Sequence, residues 1–178
     1  PGEFSSRLEG TPVVMQGLIC LLVPPAFFAS TLLLLFHLAR QFGADPRGAA
    51  WCAVAIGCAT QAFAFGRETL SDGPGLTFLL AALLAVVAVQ QGRGSWRTSL
   101  LGGLAGGASA LLRYQNIALM LAVGGALAIA AWRQRRWRDL LAFTAGALPA
   151  MGLFLATNHA RFGDAFVTGY PDPAAWFT

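Results

Sequence analysis

Among the polar side chains of this sequence, two groups have types and spacing suited to chemistry. The first is the run Arg67, Glu68, Ser71 and Asp72, set between two apolar stretches. An acid held beside a membrane surface can bind a metal, a sugar hydroxyl or a phosphate-bound cation. If Asp72 instead caps the following helix, its carboxylate accepts backbone N–H bonds at the positive end of the helix dipole. The two roles are compatible. The second is Arg113, in the polar interruption Arg113-Tyr114-Gln115-Asn116 of a long apolar region. Its guanidinium presents five donors in a planar fork that matches phosphate. Snorkelling or pairing with a carboxylate such as Asp72 is the other use of such a residue.

Other chemistry finds little support. The sequence has no GxGxxG after a strand, no P-loop and no HExxH. Gly107-Ala108-Ser109-Ala110-Leu111 lacks the second glycine of a GxSxG elbow. His37 and His159 are the two histidines, far apart in sequence; His37 reads as an interfacial residue. Cys20, Cys52 and Cys58 lie in apolar stretches with no CxxC spacing and read as small packing residues.

The elements that hold these residues follow from composition. Of 178 residues, 56% are hydrophobic and 11% charged, against about 25% charged in an ordinary soluble domain. Mean hydropathy is +0.61. This excludes a soluble globular domain, a disordered chain and a disulfide scaffold, and indicates an all-α, polytopic transmembrane bundle. About six membrane segments fit the length. They are Thr11–Ala39, kinked at Pro24-Pro25; Gly48–Phe65; Pro74–Gln90; two short helices within Ser99–Trp132; and Leu140–Thr157. A single helix over Ser99–Trp132 would reach about 50 Å, beyond the roughly 30 Å hydrocarbon core. Two helices meeting near Arg113 remove the excess. Residues 1–10 are expected to form an external polar segment, 11–157 the bundle, and 158–178 the start of an external loop.

All twelve basic residues are arginine, and Gly and Ala are abundant, a composition that suggests a GC-rich, bacterial genome. The alternation of segments puts Arg40, Arg47, Arg93, Arg97, Arg133, Arg135, Arg136 and Arg138 on one side with Asp45 and Asp139. The other side holds Arg7, Arg67, Arg113 and Arg161 with six acids. The positive-inside rule makes the first side cytoplasmic, in a bacterial inner membrane, with both chain ends outside. Trp51, Trp96, Trp132 and Trp137 fall at the same helix ends, where indole favours the interface. The arginines therefore read as topology signals, not as a nucleic-acid surface. Gly102 with Gly106, and Gly103 with Gly107, form a double GxxxG pattern that points to close packing within the bundle.

Four pieces of the sequence, taken in order, resemble the GT-C superfamily of polyprenyl-phosphate-sugar-dependent glycosyltransferases. The likeness is greatest to the bacterial branch similar to protein mannosyltransferases and aminoarabinose transferases. The pieces are FHLARQFGADPRGAAW with a later GRETLSD; LLGGLAGGASALLRYQNIALML; WRQRRWRDL; and LPAMGLFLATNHARFGDAFVTGY. The resemblance covers about Leu32 to Tyr170. The resemblance implies that the six segments are the second to seventh helices of a larger enzyme. Its catalytic acidic base would lie in an external loop upstream of Pro1, so the chain alone would be inactive. Asp72 falls where the family has a second acid near the catalytic loop, which aids metal or substrate binding, with Arg67 and Glu68 just before it. Arg113 falls on the arginine of the Gly-rich helix motif and would contact phosphate. Asn158, Gly163, Gly169 and Tyr170 match a helix-exit motif and are expected to be structural. The implied partners are membrane lipid, a polyprenyl-phosphate-linked sugar donor, and a glycan, lipid or protein acceptor. A divalent metal, with Asp72 as a candidate ligand, is the one cofactor suggested. The alternatives are a secondary transporter, against which stands the lack of an internal repeat, and a membrane assembly protein without catalysis.

Overall fold

The structure is a computed structural model, and it describes residues 13–59, 72–113 and 115–166. Within these residues it contains helices and no strand. The helices are α1 (Val13–Gln41), α2 (Pro46–Ala59), α3 (Asp72–Gln90), α4 (Trp96–Leu112), α5 (Asn116–Gln134) and α6 (Trp137–Phe162). Four are long and apolar enough to cross a membrane: α1 from Leu21, α3 from Gly73, α5 and α6. Their large side chains face outward, Leu21, Leu121 and Leu141 being 68%, 72% and 69% exposed. In water such a surface would drive aggregation; in lipid it is the ordinary exterior. The protein is a multi-pass helical membrane bundle.

The chain divides into two compact units, residues 1–77 and 78–178, with the division falling inside α3. In the first unit α1 packs on α2. Gly57 makes this possible, since a Cβ there would collide with the Leu32 side chain. Pro24 and Pro25 lie inside α1, which continues through them to Gln41. The chain turns at Gly43, whose φ of 93° suits glycine. Asp45 then starts α2: its Oδ1 accepts the Gly48 N–H at 3.1 Å, and Pro46 fills the first helical position, where no N–H is needed. Thr31 and Thr77 are both buried, with hydroxyls 2.8 Å apart, and the Thr77 hydroxyl lies 2.9 Å from the Gly73 carbonyl. Such polar bridges hold helices together where lipid offers no hydrophobic driving force.

In the second unit α4 and α6 run parallel in close contact. A Cβ at Gly103 would strike the Phe143 backbone, and one at Gly146 the Leu100 backbone. Gly107 meets Ala147 and Ala150 in the same way. The double GxxxG pattern of α4 thus packs within the bundle, as its spacing predicts. Val86, Val89, Leu127 and Phe143 form the core beside this seam.

The helix ends compare with the sequence expectation as follows. Helix α2 is described to Ala59, and the rest of the expected segment, to Phe65, lies outside the described residues. Helix α4 has 17 residues, about 25 Å of rise, and is short, as expected for one of two helices meeting at Arg113. Helix α6 does not end at Thr157 but runs to Phe162, so part of the expected external loop is helical. Asn158, His159 and Arg161 are polar but do not break a helix; Gly163, with φ of 76°, is what stops it.

Candidate functional site at the corner between α4 and α5

The apolar region Ser99–Trp132 breaks where the length argument requires. Arg113 leaves the helical path with φ −141° and ψ 110°, and α5 begins at Asn116. The corner is tied by a small polar network. Ser109 is fully buried, and its hydroxyl accepts a 2.8 Å hydrogen bond from the Asn116 side-chain amide. The Ser109 carbonyl accepts the Arg113 N–H at 3.0 Å, and the Arg113 carbonyl accepts the Asn116 N–H at 2.9 Å. These bonds satisfy backbone groups freed by the helix break, which lipid could not do. The Arg113 side chain is half-buried at this corner. Sequence reasoning found Arg113 but saw Asn116 only as part of the polar interruption. The signal available was an amide at the start of a helix, seven residues after a serine.

Between α4, α5 and α6 lies a groove of about 350 Å³. Its walls include Gly106, Met120, Gly124, Phe143 and Ala147. Thr144 is the only lining residue with a polar side chain, and its hydroxyl is taken up by the Leu140 carbonyl at 3.1 Å. Leu111 and Ile117, which flank the Arg113 corner in the chain, also line it. The arrangement offers an apolar channel beside a corner that carries a permanent cation.

The other predicted site residues are not brought to this corner by anything described. Asp72 is the first residue of α3, in the position of a helix start. Arg67 and Glu68 lie outside the described residues, as does Tyr170. No group of three or more His, Cys, Asp or Glu side chains able to hold a metal occurs among the described residues. Asn158 is buried, and its amide donates to the Ala165 carbonyl at 3.3 Å, the structural role expected of it.

Sequence reasoning assigned Arg136 to topology alone and missed what it does. Its Nε sits 2.7 Å from Oδ2 of the buried Asp139. Its two terminal nitrogens donate to the carbonyls of Gly94 at 2.8 Å and Val89 at 3.3 Å. One guanidinium thus joins the turn after α3 to the start of α6.

Comparison with known proteins returns one finding. Neither the curated proteins nor the solved structures contain a match. The family described as dolichyl-phosphate-mannose-protein mannosyltransferase matches residues 11–157, most of the chain and nearly the whole helical bundle. With its apolar helices, broken fourth segment and glycine-packed seam, the chain belongs to this family of GT-C-type membrane glycosyltransferases.

Proposed function

We propose that the chain is part of an enzyme that moves a sugar from a polyprenyl-phosphate-linked donor to an acceptor at the outer face of the membrane. The observation that carries this reading is the apolar groove whose lining includes Leu111 and Ile117, on either side of the Arg113 corner in the chain. A lipid-linked sugar is a long apolar tail joined to an anionic phosphate, and groove and corner offer one partner for each. The tail gains little hydrophobic energy there, because it leaves lipid for protein. The groove therefore selects shape, and the arginine supplies the polar recognition. Family membership favours this reading over a transporter or a non-catalytic assembly protein.

The acceptor hydroxyl loses its proton to an acidic base, in the external loop that the resemblance places ahead of residue 1. The oxygen attacks the anomeric carbon with inversion, and the bond to the lipid phosphate breaks with its electron pair leaving on the phosphate. Arg113 or Arg67 stabilises that growing charge. Asp72 and Glu68 hold sugar hydroxyls or a divalent cation. Both ends of the chain face outward, and the arginine-rich turns face the cytoplasm of a bacterial inner membrane.

Binding of a fluorescent polyprenyl monophosphate to the full chain in nanodiscs tests the carrying observation. Saturable binding is expected, weakened about tenfold or more by Arg113→Ala and less by Arg113→Lys, in line with the strength of charge-assisted bonds. Equal binding of polyprenol lacking the phosphate would refute it.

A further inference from the structure

A second cleft, of about 600 Å³, opens where α4 and α6 begin. We propose that it is a binding site for the headgroup of an anionic phospholipid, sharing no lining residue with the groove described above and independent of the donor reading.

Three observations carry it. The first is charge. Arg135, Arg136 and Arg138 line the cleft, and Asp139 is the only acid among the lining residues. Asp139 is already taken up by Arg136, which is itself committed to two carbonyls. Arg135 and Arg138 are exposed, and they leave the cleft with an excess of positive charge.

The second is the backbone. Arg135 ends α5 with φ of 54°, a left-handed conformation that favours glycine. It is the single non-glycine residue with positive φ among the described residues. A glycine would satisfy the turn with less strain; an arginine there places a guanidinium at the cleft. The N-termini of α4 and α6 also lie here, since Ser95, Trp96, Trp137 and Arg138 all line it. Both helix dipoles therefore direct their positive ends toward the same space.

The third is the surroundings, which select a lipid over a soluble anion. Trp132 and Trp137 pack edge to face at 5.6 Å and are both exposed, and Arg97 lies over the Trp96 ring at 5.5 Å. Indoles in this number mark the headgroup level of a bilayer. Leu141, one turn further along α6, is 69% exposed and continues the surface toward the hydrocarbon region. A phosphate seated between Arg135 and Arg138 would have exposed apolar surface one turn away on α6 for its acyl chains. Basic pockets between helices at this depth suit acidic headgroups, each arginine adding roughly fivefold in affinity.

Native mass spectrometry of the full chain, released from nanodiscs of equal phosphatidylglycerol and phosphatidylcholine, tests the site. Wild type should retain phosphatidylglycerol in preference. The double variant Arg135→Gln, Arg138→Gln should lose that preference about tenfold or more, while Arg161→Gln, which removes a charge at the far end of α6, leaves it unchanged. The pair Arg135→Lys, Arg138→Lys should keep most of it, and circular dichroism of each variant should match wild type. Millimolar inorganic phosphate should not displace the lipid. Retention of both lipids alike, full retention by the glutamine pair, or displacement by free phosphate would overturn the proposal.

Discussion

Arg136 and Asp139 show how much a single pair can decide in this unit. Asp139 is 4% exposed, and it meets Arg136 at 2.7 Å in the first turn of α6, where the helix dipole favours an acid. The guanidinium in turn bonds carbonyls 42 and 47 residues away. Asp139→Ala should therefore lower stability by about 1–3 kcal/mol, the usual loss of a charge-assisted bond, and would show as a lower Tm in detergent. No loss of Tm would mean the pair does not hold the turn. None of this was readable beforehand, because an arginine beside an aspartate in a basic turn looks the same whether it clamps or is solvated. Arg113 was legible for the opposite reason: a cation in the middle of apolar sequence has few uses. Arg67 and Glu68 lie outside the described residues.

At the level of elements, the seam between α4 and α6 is set by glycine. Gly103 and Gly146 place each helix backbone where a Cβ of the other would be. Backbone cannot swing aside as a side chain can, so Gly103→Val must push the helices apart. Overpacking of this kind costs about 1–3 kcal/mol, and thermal unfolding should record it. Gly152→Ala, where nothing lies within 4 Å, should be neutral or slightly stabilising by helix propensity. Equal effects at the two sites would contradict the packing. The GxxxG spacing in α4 announced this seam, but its partner did not, because Gly146 stands alone among alanines and leucines. The break at Arg113 was legible from length, from the basic flanks at both ends and from the polar interruption between them. The end of α6 was not, since polarity marks where lipid ends rather than where a helix ends.

For the whole molecule, composition was the most informative feature. With 11% charge no water-facing shell can form, and the exposed leucines of α1, α5 and α6 bear this out. The proposed orientation puts the arginine-rich turns in the cytoplasm. A single cysteine at Arg135, in a background lacking Cys20, Cys52 and Cys58, should react with a membrane-impermeant maleimide only after cells are opened. One at Arg161 should react in intact cells. The reverse pattern would invert the orientation. The central claim, a glycosyltransferase acting through a lipid-phosphate donor, is tested most directly by sugar transfer. The measurement is transfer from a polyprenyl-phosphate-linked sugar by the full-length protein, comparing wild type with Arg113→Ala and Asp72→Asn. Loss of a group that stabilises a leaving phosphate should lower kcat by about 10²–10³ for Arg113→Ala, with a smaller loss for Asp72→Asn. Transfer at the wild-type rate in both variants would contradict the account.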